Sequence, residues 1–127
     1  MRGCLPQWKF KIQSINLYQA TMIELIKKIF GIKSVDYAQL VRKGAIIVDV
    51  RTVGEFNSGH IKGSVNIPVE KIANNADKLK AKKKPIIACC ASGSRSAMAK
   101  SVLKGRGLAD VYNGGPWFRL QSKINKG

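Results

Sequence analysis

A cysteine, a glycine, an arginine and three serines lie together in the stretch Cys90-Ala91-Ser92-Gly93-Ser94-Arg95-Ser96. A loop of small residues that includes a glycine can turn successive backbone N–H groups inward and form an anion-binding nest. The N-terminal end of a following helix and the charge of Arg95 add positive potential. Each of these groups favours thiolate over thiol, so we expect the pKa of Cys90 to lie below its ordinary value. The same groups suit an anionic substrate held against a nucleophilic sulfur.

The predicted secondary structure places Cys90 where such a site is expected. Residues 85–90 are an apolar run typical of a strand buried on both faces, and residues 94–104 are predicted to be a helix ending at Gly105. Ligands of open parallel sheets bind beyond the carboxyl ends of the strands, which is the position of Cys90. Side chains alternate along a strand, so we predict that Cys89 lies in the core on the other face. The alternative interpretation of Cys90 is an inert interior cysteine.

The rest of the chain alternates between strand and helix signals. Apolar runs predict strands, and helical periodicity ending at glycine predicts helices. This alternation indicates an α/β fold with a parallel sheet and helices on both faces. The predicted strands are residues 45–50, 65–68, 85–90 and 110–112, and the predicted helices are residues 35–43, 70–79, 94–104 and a closing helix from about Pro116.

Composition limits the classes of partner and compartment. The 127 residues include 23 Lys and Arg against seven Asp and Glu, a net charge of +16, which attracts small anions, nucleic acid and acidic proteins alike. Three cysteines, two of them adjacent, do not resemble a disulfide framework, and a single histidine argues against a metal site. We predict no role for Cys4, no metal, no membrane span and a cytoplasmic location.

Two segments stand apart from the predicted site. Residues 1–31 are predicted to be an N-terminal extension with a short amphipathic helix from Met22, a residue that is also an alternative start. The basic run Lys78–Lys84 falls at the opposite edge of the predicted sheet from Cys90. We interpret it as a solvated helix end that complements the helix dipole, with a docking patch as the alternative.

Motifs along most of the chain resemble the rhodanese family. They are Asp49-Val50-Arg51, Glu55-Phe56, Gly59-His60-Ile61, Gly63-Ser64, Asn66-Ile67-Pro68, the Cys90 loop, and Tyr112, Gly114-Gly115 and Trp117 near the C-terminus. The resemblance covers roughly residues 32–118 and implies a parallel sheet of about five strands with helices on both sides. We therefore predict a rhodanese-like domain over residues 32–120 and a C-terminal tail over residues 121–127.

The resemblance implies a single-domain sulfurtransferase that carries sulfur as a persulfide on Cys90. The donor is thiosulfate or a protein persulfide, the acceptor is cyanide, a thiol or a protein, and no cofactor is needed. The resemblance also implies that Arg95 binds the oxyanion and that backbone N–H groups surround the sulfur. The substrate-binding residues it implies are Ala91, Ser92, Gly93, Ser94, Arg95 and Ser96.

The other matching residues are predicted to be architectural. We expect Asp49 and Arg51 to fix neighbouring loops, with Glu55 as a candidate partner of Arg51. His60 is predicted to pack a loop rather than act as a base, because an activated thiolate needs none. Trp117 is predicted to close the pocket wall.

Two alternatives stay open at this stage. The first is a phosphatase or arsenate reductase of the same fold, but those enzymes have one more residue between the cysteine and the arginine than the four found here. The second is a basic binding module for an acidic protein or RNA, with Cys90 incidental. The basic residues lack regularly interleaved aromatic residues, which argues against nucleic acid without removing that alternative.

Overall fold

Strands and helices alternate along the described part of the chain, residues 34–127 of the computed structural model. The strands are β1 (Ile46–Asp49), β2 (Val65–Asn66), β3 (Ile86–Cys90) and β4 (Val111–Pro116). The helices are α1 (Tyr37–Arg42), α2 (Val53–Ser58), α3 (Ala76–Ala81), α4 (Ser94–Gly105) and α5 (Trp117–Asn125), with 3₁₀ turns at Val69–Lys71 and Ala73–Asn75. Residues Asp36–Gly127 form one compact unit.

The four strands of the described residues make one parallel sheet in the order β2-β1-β3-β4. The predicted fold class is confirmed, with four strands where we expected about five. Strand β3 pairs with β1 on one edge and β4 on the other, and all five of its residues are buried. Such a strand is among the most rigid parts of a domain. Cys90, its last residue, is therefore held on a fixed backbone.

Side chains of β3 alternate between two cores, one on each face of the sheet. Cys90 lies in the core that α3 and α4 cover, together with Leu79 and Leu103. Cys89 lies in the core that α1 and α5 cover, together with Leu120. Helices therefore lie on both faces, as predicted, and the two adjacent cysteines point in opposite directions.

The segment between β2 and β3 is less regular than the predicted helix over residues 70–79. It forms two 3₁₀ turns before the six-residue helix α3. The side chain of Asn75 bonds the carbonyl of Lys71 at 2.8 Å, and the backbone of Asn75 leaves the helical region with φ −102° and ψ 0°. Asparagine competes in this way with helical hydrogen bonding, which accounts for the late start of the helix.

Helix α2 was not predicted, because six residues are too few to show a period. It begins with a capping box, in which the Thr52 side chain accepts from the Glu55 N–H and Glu55 accepts from the Thr52 N–H. At the other end of the chain, β4 runs to Pro116 rather than ending at Tyr112. Helix α5 continues to Asn125, through most of the residues that we assigned to a tail.

The predicted N-terminal extension and its helix lie outside the described residues. Within residues 34–127, no helix combines the length and the apolar character that crossing a membrane requires.

Candidate active site

The loop after Cys90 turns sharply at Gly93. This glycine has φ +102° and ψ −9°, a left-handed conformation, and α4 begins at the next residue. A Cβ on Gly93 would lie 3.4 Å from Cα of Gly115, so the loop also packs closely against the end of β4. Glycine is the residue that adopts this conformation without strain. The turn directs the backbone of the loop around the sulfur of Cys90.

Hydrogen-bond donors surround the sulfur of Cys90. The Gly93 N–H donates to Sγ at 2.9 Å, and the Ser96 hydroxyl lies 3.5 Å from it. Burial alone raises the pKa of the Cys90 thiol. Hydrogen bonds from the Ser96 hydroxyl and from the N–H groups of Ser96, Gly93 and Ser92 outweigh burial, so the pKa lies below its ordinary value. The arrangement stabilises a thiolate, as a nest of N–H groups stabilises an anion.

Arg95, in the first turn of α4, is bound to a carboxylate. Its guanidinium donates to both oxygens of Glu55, at 2.8 and 3.1 Å. Hydrogen bonding from Arg95, followed by that from the Thr52 N–H, lowers the pKa of Glu55 to about 2. The ion pair is partly exposed, with about a third of each side chain open to solvent. The capping box of α2 and the active-site loop are thus joined through these two charges.

The candidate pairing of Arg51 with Glu55 is wrong, because each residue has a different partner. The Arg51 guanidinium forms a buried ion pair with Asp49, with Nη2 to Oδ2 at 2.7 Å. It also donates to the Gly59 carbonyl at 2.6 Å and lies 4.7 Å from the centre of the Trp117 ring. Arg51 therefore links the end of β1, the loop after α2 and the start of α5.

Asn113 is a site residue that the sequence analysis did not identify. Its Oδ1 accepts from the Ser96 hydroxyl at 2.7 Å and from the Gly115 N–H at 2.9 Å. Its Nδ2 donates to the Gly93 carbonyl at 3.2 Å. This one side chain fastens the Cys90 loop to β4. Its position within the closing motif, between Tyr112 and Gly114, was the available signal.

The remaining loop residues line the outside of the turn. Ala91, Ser92 and Ser94 are exposed, and the Ser92 and Ser94 hydroxyls lie 3.1 Å apart. All seven sequence-predicted residues are therefore brought together. The Gly93 N–H and the Ser96 hydroxyl lie within 3.5 Å of Sγ, and the Arg95 side chain faces Glu55.

Cys89 differs from Cys90 in its electrostatics. Burial and the charge of Asp49 raise the pKa of the Cys89 thiol to about 12. A thiol with that pKa is neutral near pH 7 and a poor nucleophile. The two adjacent thiols are therefore different chemical groups.

His60 stacks on a neighbouring ring. Its ring lies parallel to that of Phe56 with the centres 3.7 Å apart, and its Nδ1 lies 2.7 Å from the Phe56 carbonyl. These contacts secure the end of α2, in agreement with the packing role predicted for this residue.

The model of the rhodanese-like domain family matches residues 34–115, about two thirds of the chain. The match includes β1 to β3, the Cys90 loop, α4 and most of β4. The chain belongs to the rhodanese-like domain family. The described sheet and loop are thus those of a rhodanese-like domain.

Individual relatives of this rhodanese-like domain agree with the family match. The thiosulfate sulfurtransferase GlpE of Pseudomonas savastanoi pv. phaseolicola is 37% identical over 86 residues, which cover 67% of this chain and 80% of the relative. A rhodanese from E. coli, solved with anions, superposes with a TM-score of 0.55 at 26% identity, covering 59% of this chain and 89% of that one. The human single-domain sulfurtransferase TSTD1 superposes with a TM-score of 0.50 at 26% identity, covering 61% and 82%.

Proposed function

We propose that this rhodanese-like domain is a sulfurtransferase that carries sulfane sulfur on Cys90. The donor is thiosulfate or a protein persulfide, and the acceptor is cyanide, a small thiol or a protein thiol. The observation that carries the proposal is the Gly93 N–H at 2.9 Å from Sγ of Cys90, in a loop that lowers the pKa of that thiol. A thiolate is the form of cysteine that attacks sulfur.

The first step transfers one sulfur atom to Cys90. The Sγ thiolate attacks the outer sulfur of thiosulfate, and a new S–S bond forms. The bond between the outer sulfur and the sulfonate sulfur breaks, and its electron pair leaves with sulfite. No proton is taken up or released, so the step needs no general base. The loop N–H groups that stabilise the thiolate remain to stabilise the terminal sulfur of the persulfide.

The second step regenerates the enzyme. A nucleophile such as cyanide attacks the outer sulfur of the persulfide, the S–S bond breaks, and its electron pair returns to Sγ of Cys90. The leaving thiolate is the same species that the Gly93 N–H stabilises at 2.9 Å. A lowered thiol pKa therefore increases the fraction of Cys90 that is thiolate in the first step. In the second step it makes Sγ a better leaving group.

Arg95 is proposed to attract the sulfonate end of the donor. Its guanidinium is partly exposed and bound to Glu55, so it can exchange one carboxylate oxygen for a sulfonate oxygen without leaving the loop. Bidentate donors such as guanidinium suit planar and tetrahedral oxyanions alike.

The relatives and the loop length favour sulfur over phosphate as the substrate. GlpE is a thiosulfate sulfurtransferase, and the chain covers 80% of its length. Four residues separate Cys90 from Arg95, and the loop that they form is tight enough to bring the Gly93 N–H to 2.9 Å from Sγ. A phosphoryl group needs donors around three equatorial oxygens, whereas the outer sulfur of thiosulfate is one atom.

A paired assay tests this proposal. The protein is expected to turn over thiosulfate and cyanide to thiocyanate, and not to hydrolyse a chromogenic aryl phosphate. Cys90→Ser should abolish thiocyanate formation, whereas Cys89→Ser, the same substitution one residue earlier, should retain it. Aryl phosphate hydrolysis that Cys90→Ser abolishes, without thiocyanate formation by the unmodified protein, would contradict the proposal.

A further inference from the structure

A basic cavity lies at the opposite end of β3 from Cys90. It has a volume of about 190 Å³ and lies where Pro85 leads into β3 and Asp110 leads into β4. Cys90 lies five residues along the chain from Pro85, which lines the cavity, a distance of about 16 Å along the strand. The proposed sulfur chemistry therefore leaves this cavity without a role.

Three lysines stand at the rim of this cavity. Lys80 belongs to the last turn of α3, and Lys83 and Lys84 follow in the turn that leads to β3; all three are exposed. The two ion pairs among residues 34–127 join Asp49 to Arg51 and Glu55 to Arg95, so neither involves these lysines. Asp110 is the one carboxylate among the residues that line the cavity, so the charges of the three lysines are only partly compensated and repel one another.

The chain that follows a second helix, α4, lies beside this rim. The Lys80 ammonium lies 2.7 Å from the position that a Cβ on Gly107 would take, so the end of α3 meets the loop after α4. Arg106 immediately precedes that glycine and Lys104 lies three residues before it; both are exposed, and neither lines the cavity itself. The sequence run Lys78–Lys84 alone suggested a solvated helix end. The fold adds a cavity, and it brings the loop after α4 next to the end of α3.

The floor of the cavity is apolar. Leu79, Pro85 and Leu108 line it, and no aromatic side chain is among its lining residues. Nucleic-acid bases are bound mainly by stacking on aromatic rings, and a flat membrane surface does not fill a cavity. An aliphatic side chain fits a floor of this kind, with carboxylates reaching the lysines at the rim. Asp110, also at the rim, offers an acceptor for a backbone N–H.

We propose that this cavity, with its rim of Lys80, Lys83 and Lys84, docks an acidic peptide segment of a partner protein through one aliphatic side chain. Net charge argues against the chain itself as the occupant. A second copy carries the same net charge of +16, and residues 1–33 contain six Lys and Arg but one acidic residue. An acidic partner is complementary to this rim, and binding there leaves the Cys90 loop open.

Fluorescence anisotropy with a labelled peptide tests the proposal. The probe is a short glutamate-rich peptide with one central leucine, and its pair has glycine in place of the leucine. The full-length Cys90→Ser protein is used, so that the result is independent of sulfur transfer. We expect the leucine peptide to bind several-fold more tightly than the glycine peptide. We also expect its affinity to fall as salt rises from about 50 to about 200 mM.

Charge reversal locates the binding surface. Lys83→Glu combined with Lys84→Glu is expected to weaken binding about tenfold or more, because two attractive contacts become repulsive. Lys62→Glu combined with Lys71→Glu changes the net charge equally at exposed lysines outside the cavity, and should weaken binding far less. Melting temperatures confirm that both variants are folded.

Three results would overturn the proposal. One is equal weakening by the two double variants, which would indicate attraction by net charge alone. Another is equal binding of the leucine and glycine peptides. The third is tighter binding of a single-stranded RNA of matched charge that Lys83→Glu with Lys84→Glu abolishes.

Discussion

Arg95 donates hydrogen bonds to both carboxylate oxygens of Glu55, at 2.8 and 3.1 Å, and so ties the active-site helix to the capping box of α2. The two residues are 40 positions apart in sequence. This contact makes the acid stability of the domain depend on the ionisation of Glu55.

Glu55→Gln is expected to reduce the loss of stability in acid. The pKa of Glu55 is lowered from 4.5 to about 2 in the folded state, chiefly by hydrogen bonding from Arg95. The unfolded chain therefore binds more protons in this window, and the contribution of the pair is lost as the pH falls from about 4.5 to about 2. Urea unfolding across that window should show a shallower pH dependence for Glu55→Gln.

The matched control for that measurement is Glu70→Gln. Glu70 is an exposed carboxylate that forms no ion pair within residues 34–127. Its removal should leave the pH dependence as it is in the unmodified protein. An unchanged slope in Glu55→Gln would show that the pair with Arg95 does not form in solution.

Ser96→Ala is expected to make Cys90 less reactive at pH 7. The Ser96 hydroxyl lies 3.5 Å from Sγ, and its hydrogen bond is among the causes that lower the pKa of Cys90. A full hydrogen bond to a charged group contributes about 1.5 kcal/mol, or about a tenfold change in the thiolate fraction. The Ser96 hydroxyl has one proton, which it also directs to Asn113 Oδ1 at 2.7 Å, so we expect the thiolate fraction to fall by less than about tenfold. The measurement is the pH dependence of iodoacetamide alkylation, followed on the peptide that contains Cys90.

Ser94→Ala serves as the control for Ser96→Ala. The Ser94 hydroxyl bonds that of Ser92, at 3.1 Å, and lies on the exposed side of the loop. In Ser94→Ala, the pH dependence of Cys90 alkylation should match that of the unmodified protein. Equal effects of the two substitutions would show that the Ser96 hydroxyl does not stabilise the Cys90 thiolate.

Asn113→Ala is expected to lower the free energy of unfolding by about 2 kcal/mol, because it leaves polar groups of the Cys90 loop and of β4 without partners. The Gly115 N–H loses its acceptor at 2.9 Å, and the Gly93 carbonyl loses a donor at 3.2 Å. Urea unfolding measures the effect. Asn57→Ala, at an exposed position on α2, should change the stability by less than about 0.5 kcal/mol. A similarly small change in Asn113→Ala would contradict the fastening role of this side chain.

The sequence was sufficient for the fold class and for the elements that carry the loop. Strand β3 is a continuous apolar run and α4 ends at glycines, so both have strong local signals. Helix α2 has six residues and no period, and its one signal was the Thr52-x-x-Glu55 capping box. Asn75 delays the start of α3 through a side-chain hydrogen bond to Lys71, which helical periodicity does not reveal.

The ion-pair partners of Arg51 and Glu55 could not be predicted, because they depend on distances between elements that a sequence does not contain. The Arg51 guanidinium bonds the buried carboxylate of Asp49, two residues earlier. Arg51 therefore does not pair with Glu55. Glu55 meets Arg95 only because β1 and β3 are neighbours in the sheet and end at the same edge. Asn113 contacts the Cys90 loop for the same reason, since β4 lies beside β3.

Intact-mass analysis after treatment with thiosulfate shows whether Cys90 forms a persulfide. The unmodified protein and Cys89→Ser are expected to gain about 32 Da, one sulfur atom, which cyanide then removes. Cys90→Ser should gain nothing, because a hydroxyl cannot form the persulfide, and peptide mapping should place the added sulfur on Cys90. A gain of sulfur by Cys90→Ser, or no gain by the unmodified protein, would show that Cys90 is not the sulfur carrier.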